Sequence, residues 1–465
     1  MSEPYELGLA EASTAIRSRE LSPVELTESA LARIAAVDGK IGAFRTVTAE
    51  TALAAAAAAE REIAGGSYRG PLHGIPLGMK DLYDTAGVTN EGSSAARAGT
   101  IAAADSASME ALRAAGMILI GKTETHEFAF GGITPTTRNP WHLEHIPGGS
   151  SGGSGAAVAG GMCLVAMGTD TGGSIRIPAA ACGTVGIKPT YGRASRRGVL
   201  SLSWSLDHVG PLTRNVLDSA LVLGAIAGYD RADPATVDVA VPDYTAGLDS
   251  GVAGLRIGIP TAYFFDDLDA ELEAAVRSAA ATLEGLGAHL VEVDPPMTEA
   301  ILPALWSICL PEASAYHQTL HRSRAQDYTE QVRGLLEIGE MVLATDYIRG
   351  LRVRTLIQRA WAEMFTGIDV LLAPTMPGAA PKVGQDVRDL PGGGTETVMR
   401  MLVRLCGPAN LTGLPSVAVP CGLSSTGLPL SMQIMGRPFD EATILRAATA
   451  WEVAGGTVGL LAPTG

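Results

Sequence analysis

Two glycine-serine segments constrain this chain more than any other feature, because each is set inside sequence that has to be buried. The first runs Pro147-Gly148-Gly149-Ser150-Ser151-Gly152-Gly153-Ser154-Gly155 and leads into the apolar Ala156 to Val158. The second, Gly168-Thr169-Asp170-Thr171-Gly172-Gly173-Ser174-Ile175-Arg176, follows the apolar run Met162 to Met167. Glycine opens left-handed backbone and lets another group approach closely. That is wasteful in a packed core and useful where hydroxyls must be placed and N–H groups aimed. Flexible linkers share the composition, but a linker is not embedded in core-forming sequence.

Around these loops, short apolar runs alternate with helical periodicity. Residues about 7–65 read as helices. Ser22-Pro23-Val24-Glu25 forms a capping box with proline at the first helical position, and Thr51 to Ile63 forms an alanine-rich helix. Gly74 to Asp81 reads as a strand with Lys80 near its end. Helix 105–115, strand 117–120, helix 155–161 and strand 163–167 follow, and 185–215 reads as loop and short strand. Leu217 to Ala227 reads as a helix, and 254–260, 268–286 and 289–293 form a strand-helix-strand unit that favours parallel pairing. Two long helices are expected over about 297–323 and 327–365. Gly378 to Thr397 reads as a loop, 369–373, 416–419 and 430–435 as strands, and 441–451 as a closing helix. The alternation implies an α/β fold: a large mixed, mostly parallel twisted sheet covered by helices on both faces. The chain reads as a single domain over 1–465. It has a helical segment over about 1–66, a catalytic core over about 67–230 and a C-terminal half over about 252–465 that completes sheet and pocket. Ala232 to Gly251 is a surface connection.

The net charge of −15 over 465 residues argues against a nucleic-acid partner, which would need a basic face. The polar, acidic start Met1-Ser2-Glu3-Pro4 has no signal-peptide pattern, and the alanine run 52–59 is too short to span a membrane. The five cysteines (Cys163, Cys182, Cys309, Cys406, Cys421) are scattered and show no CxxC spacing, so they read as buried thiols in a cytoplasmic protein.

Three motifs look right in the wrong context. Gly116 to Thr123 matches the Walker A pattern, but its middle is Met-Ile-Leu-Ile, an apolar strand with a helix before it. Gly148-Gly149-Ser150-Ser151-Gly152 matches the nucleophile elbow, yet poor strand material precedes it. Asp207-His208 offers partners for a serine triad, although an adjacent pair in a loop is more often structural. His142 and His145 lack the acidic or thiol companions of a metal site. No metal or cofactor is expected.

What remains is Lys80 after a strand and serines in two glycine loops. A serine hydroxyl needs a base, and burial lowers a lysine pKa enough for it to serve as one. The alternative is a surface lysine at a strand end. Asp81 and Asp84 would oppose the shift if they faced it.

Four stretches resemble the amidase signature family: Gly74 to Asp81, Pro147 to Ser154, Gly168 to Ala179, and Gly183 to Gly192, with further similarity in Ser205 to Pro211 and Asn410 to Pro415. The resemblance implies the amidase signature fold and a Ser-cisSer-Lys triad. Ser174 is then the nucleophile, Ser150 the relay held through a cis peptide, and Lys80 the terminal base. It implies an oxyanion hole from the backbone N–H groups of Thr171, Gly172, Gly173 and Ser174. Ser151 and Ser154 read as loop supports, and Asp170 and Arg176 as a pair bracing the nucleophile. The implied activity is hydrolysis of a carboxylic amide to acid plus amine or ammonia. A carbamate (as in a urethanase), hydrazide, anilide or ester is the alternative, acting on a small-molecule substrate and water, with a homodimer left open. The family also contains the glutaminase subunit of the glutamyl-tRNA amidotransferase, which carries an arginine for the substrate carboxylate within an Arg-Ile-Met-Leu-Gly stretch. The counterpart here, Leu335-Leu336-Glu337-Ile338-Gly339, has leucine instead, which favours a stand-alone amidase.

Overall fold

The computed structural model describes residues 3–455 and 457–464. Its strands, in chain order, are β1 (Phe44–Val47), β2 (Pro76–Lys80), β3 (Ile118–Thr123), β4 (Val165–Asp170), β5 (Val185–Lys188), β6 (His208–Thr213), β7 (Arg256–Pro260), β8 (His289–Val293), β9 (Val370–Pro374), β10 (Val387–Asp389), β11 (Thr395–Thr397), β12 (Ser416–Leu423) and β13 (Pro429–Gly436). Eleven of them form one sheet in the order β1-β3-β2-β4-β6-β5-β12-β13-β9-β7-β8.

Period-two alternation buries both faces of this sheet. Ile118 and Ile120 of β3 and Ala166 of β4 pack into one core with Ala30, Ile34, Ala52 and Ala56 of the N-terminal helices. Leu119, Val165 and Met167 point the other way, into a larger core that includes Met109, Leu112, Val216, Ala220, Leu272 and Ile444. All five residues of β2 are buried, as its continuous apolar run requires.

The sheet is mixed, but it is not mostly parallel. Pairing is parallel for β3–β2, β2–β4, β9–β7 and β7–β8. The other neighbours pair antiparallel. Parallel pairing needs a crossover, and the centre lacks one: β12 and β13 are joined by a short turn, and β5 and β6 by a long loop.

Three further elements depart from expectation. The region 7–65 is not all helical: β1 sits between helices Pro23–Ile41 and Ala49–Ala64 and pairs with β3. The helix expected over 327–365 is two, Glu330–Met341 and Ala344–Gly367, broken where Val342 and Leu343 turn extended. The 378–397 loop contains the hairpin β10–β11, held by a cross-strand pair from Arg388 Nε to Glu396 Oε1 at 2.8 Å. The Ser22 capping box is present, with Glu25 N donating to Ser22 Oγ at 3.0 Å and Ser22 N to Glu25 Oε2 at 2.8 Å. No helix among the described residues is long and apolar enough to cross a membrane.

Strands β2 and β4 run in parallel register, so their C-terminal ends meet at one edge, where Lys80 and Asp170 are the last residues. Helices Gly152–Ala159 and Arg176–Cys182 both begin near this edge. Open α/β sheets bind ligands at the C-terminal ends of such strands.

Candidate active site

Lys80 is completely buried. Its Nζ donates to Ser150 Oγ at 2.8 Å, Ser151 Oγ at 2.9 Å and Thr169 Oγ1 at 2.8 Å. The neighbouring Asp81 turns away, toward Lys122 at 3.5 Å and Arg45 at 3.6 Å. Asp84 accepts from Asn90 instead. Burial therefore pushes Lys80 well below the ordinary lysine range, opposed only by the charges of Asp170 and Asp207.

The first glycine-serine segment wraps this amine. The Gly149–Ser150 peptide is cis. The Ser150 carbonyl accepts from His126 N at 3.0 Å and Thr134 Oγ1 at 2.9 Å. Ser151 Oγ, expected only to support the loop, is also a direct partner of Lys80; it bonds the backbone of Thr169 as well. Ser154 Oγ donates to Met167 O at 2.9 Å and meets Thr123 Oγ1 at 2.7 Å, a supporting role as expected.

Ser174 follows β4 and precedes helix Arg176–Cys182. The strand-turn-helix setting of a nucleophile elbow thus surrounds Ser174 and not the Gly148–Gly152 motif. Ser151 N donates to Ser174 O at 3.2 Å, which ties the two segments together. Among the described residues the Ser174 hydroxyl makes no hydrogen bond, to Ser150 or to any other side chain. Catalytic contacts are often loose before substrate binds.

The turn itself is shaped by Asp170. Its carboxylate accepts from Gly173 N at 2.8 Å, Ile175 N at 3.2 Å, Asn410 Nδ2 at 2.7 Å, and Nε and Nη2 of Arg176, each at 3.1 Å. The expected Asp170–Arg176 brace is therefore present and fully buried. Burial alone would raise the Asp170 carboxyl; the Arg176 charge and hydrogen bonds, with Lys188 and Asn410, hold it well below the usual range. Arg176 is further satisfied by Gln433 Oε1 at 2.9 Å, Asn410 Oδ1 at 2.7 Å and Cys406 O at 3.0 Å. Such saturation is what lets a buried ion pair persist.

One expected oxyanion donor is otherwise engaged. The Gly173 N–H is spent on Asp170, while the N–H groups of Thr171, Gly172 and Ser174 have no protein acceptor among the described residues. Gly173 sits at φ +128, and a Cβ there would lie 2.6 Å from Cys406 Cβ, so the turn requires glycine. Thr171 Oγ1 donates to Asp207 Oδ1 at 2.6 Å. Asp207 also accepts from Ser201 Oγ at 2.7 Å and from Leu202 N and Ser203 N, both at 3.0 Å. Asp207 and His208 thus do not form a dyad with a serine: Asp207 anchors Thr171, and His208 Nδ1 faces the carbonyls of Leu206 at 2.7 Å and Asp170 at 3.1 Å.

Ser174 opens into a cavity of about 460 Å³. Ile177, Leu305, Trp306, Leu335, Met399 and Val403 are among its walls, and no lysine or arginine lines it. Leu335 stands here, at the position matched to the carboxylate-gripping arginine. The false motifs resolve as packing. Lys122 of the Walker-like stretch is buried in β3 and donates to Tyr83 O at 2.6 Å. His142 and His145 stack edge to face. The five cysteines are buried and free.

A family model described as Amidase matches residues 25–445. The chain belongs to the amidase signature family. An amidase from Pseudomonas putida is 50% identical over 455 residues, covering 98% of this chain and 97% of its own length. The first subunit (GatA) of the glutamyl-tRNA(Gln) amidotransferase from Trichlorobacter lovleyi is 42% identical, covering 97% of this chain and 98% of its own. A solved bacterial aryl acylamidase of the amidase signature family superposes with a TM-score of 0.89 at 29% identity, covering 98% of this chain and 97% of its own. The stretches that resemble the amidase signature family meet at the β2–β4 edge. Thr169, Asp207 and Gln433 join them as contacts for which the sequence alone indicates no role. Gln433 reaches the Arg176 brace from 257 positions along the chain, a distance over which local pattern has no signal.

Proposed function

We propose that this amidase signature protein hydrolyses the C–N bond of a carboxylic amide with an apolar acyl group, through an acyl-enzyme on Ser174. Neutral Lys80 takes a proton from Ser150 as Ser150 takes one from Ser174, and Ser174 Oγ attacks the carbonyl. The free N–H groups of Thr171, Gly172 and Ser174 receive the oxyanion, a donor set in which each contact contributes on the order of 3 kcal/mol. The proton returns through Ser150 to the leaving nitrogen, the C–N bond breaks, and water repeats the sequence on the ester. The observation that carries this reading is the fully buried Lys80, hydrogen-bonded to Ser150 beside a serine that faces an apolar cavity.

A serine-directed fluorophosphonate should add its mass at Ser174, and Ser174→Ala should abolish both labelling and amide turnover. Labelling at Ser150 or Ser151 would reassign the nucleophile. A second reading, the glutaminase component of a tRNA-dependent amidotransferase, is favoured by the 42% identity to the Trichlorobacter lovleyi protein. Against it stands the cavity wall, where Leu335 offers nothing to a carboxylate. Glutamine hydrolysis that appears only with partner proteins added would decide for that second reading.

A further inference from the structure

A second cavity, of about 170 Å³, lies on the other side of Thr171 from the apolar one. The two share Ala129, Thr171 and Leu202 as a common wall. The apolar cavity holds Ser174 and Gly172. The second holds Thr169, whose Oγ1 is a direct partner of Lys80 Nζ at 2.8 Å. A carbonyl seated against Ser174 and Thr171 therefore has one substituent in the apolar chamber and the other at the lysine end. The group that needs a proton from the Lys80–Ser150 relay is the leaving nitrogen.

The second chamber's lining suits a neutral polar guest. Arg196 pairs with Asp233 at 3.0 Å, and Arg197 with Asp230 at 2.9 Å and Glu110 at 2.7 Å. Asp207 has its four donors. No cation or anion on this wall is left without a partner. One buried acceptor is. His208, 3% exposed, directs Nδ1 at two carbonyls, which only accept, so the proton sits on Nδ1. Nε2 is then a lone-pair acceptor with no protein donor. Burial, then the Lys188 charge, hold this imidazole well below the ordinary histidine range, which keeps it neutral. A buried acceptor without a donor beside a polar cavity is the usual setting for a small polar molecule.

We infer that this chamber is the leaving-amine site: it takes ammonia or a small neutral primary amine, whose N–H donates to His208 Nε2. The inference rests on the amide-hydrolase reading above. The step balances: the C–N bond breaks, the nitrogen gains the proton that Ser174 gave to the relay, and the amine departs neutral. In reverse, a small amine bound there attacks the Ser174 ester, passes its proton to Lys80 through Ser150, and releases Ser174.

The test uses the full chain with one acyl group and two leaving groups, hexanamide and N-butylhexanamide. Ala232→Trp at the mouth, and independently Val199→Trp on the wall, should raise the kcat/KM ratio of hexanamide to N-butylhexanamide about tenfold or more. With hexanamide as acyl donor and hydroxylamine as acceptor, His208→Leu should raise the half-saturating hydroxylamine concentration for hydroxamate formation about tenfold. A leaving-group ratio that neither tryptophan moves, or a shift confined to acyl-chain length, would overturn the assignment. Wild-type protein inert toward every amide and unlabelled at Ser174 would instead sink the hydrolase reading beneath it.

Discussion

Lys80 Nζ lies 2.8 Å from Ser150 Oγ, and both side chains are closed to solvent. The lysine has three hydroxyls for company and no carboxylate in contact, so folding favours its neutral form. If it is the terminal base, Lys80→Met should lower kcat/KM by roughly 10²- to 10⁴-fold. In the wild type, kcat/KM should rise as Lys80 loses its proton, at a pH well below that of an ordinary lysine. The same depression has a stability consequence. The folded state binds this proton less well than the unfolded state does, so stability rises with pH from the folded pKa up to about 10.4, the unfolded value. The variant lacks that term. The difference in Tm, variant minus wild type, should therefore shrink as pH rises from 7 to 10, and a constant difference would show that Lys80 is charged in the fold.

Much of this arrangement was legible from residues alone, and what was not follows a physical rule. The strand ending at Lys80 was legible because a short apolar run stood between turn formers. Buried cysteines and the inverted Walker context were legible for similar reasons. Strand β1 was missed because Phe44 to Val47 is four residues caught between two helices, and it takes its shape from pairing with β3. Helix Arg176–Cys182 was missed because seven residues containing Pro178 carry little helical period; the Asp170 carboxylate, accepting from three N–H groups at its start, defines it. The order of roles among Ser150, Ser174 and Lys80 came from family resemblance, since composition cannot rank two serines. Asn410 and Gln433 act on the site from more than 230 positions away from Arg176, where only the fold brings them in.

The Asp170–Arg176 pair should be a stability determinant more than a source of rate. Arg176→Met leaves a buried carboxylate with its main counter-charge gone, and such breaks cost about 3–5 kcal/mol. Asp170 has a depressed folded pKa, so its stabilising contribution is complete above about pH 4 and is lost as pH falls below that range. Urea denaturation of the wild type should therefore show stability falling toward acid. The variant should start lower at pH 7 and lose less on acidification, because its Asp170 no longer has an ion pair to lose.

Asp207 should act on rate through Thr171. Its carboxylate accepts the Thr171 hydroxyl at 2.6 Å, and the Thr171 N–H is one of the three donors left for an oxyanion. Asp207→Asn and Thr171→Val should each lower kcat by about 10- to 10²-fold with little change in KM, as expected for loss of transition-state contacts. The double variant should lose no more than the worse single one, because both break the same link. Full additivity, or an effect confined to KM, would separate Asp207 from the oxyanion donors.

Leu335 should set what the acyl chamber accepts. It stands on the wall of the 460 Å³ cavity with Ile177, Trp306 and Met399, and no cation lines that space. An arginine there would bring a fork that matches a carboxylate in two hydrogen bonds. Leu335→Arg should lower kcat/KM for hexanamide and raise it for an amide whose acyl chain ends in a carboxylate, moving their ratio by about 10²-fold or more. Glu330 lines the same cavity and would compete for the new guanidinium. Adding Glu330→Gln to Leu335→Arg should therefore widen the shift. If neither form moves the ratio, the acyl group does not reach Leu335, and the missing arginine is not what separates this chain from carboxylate-binding relatives.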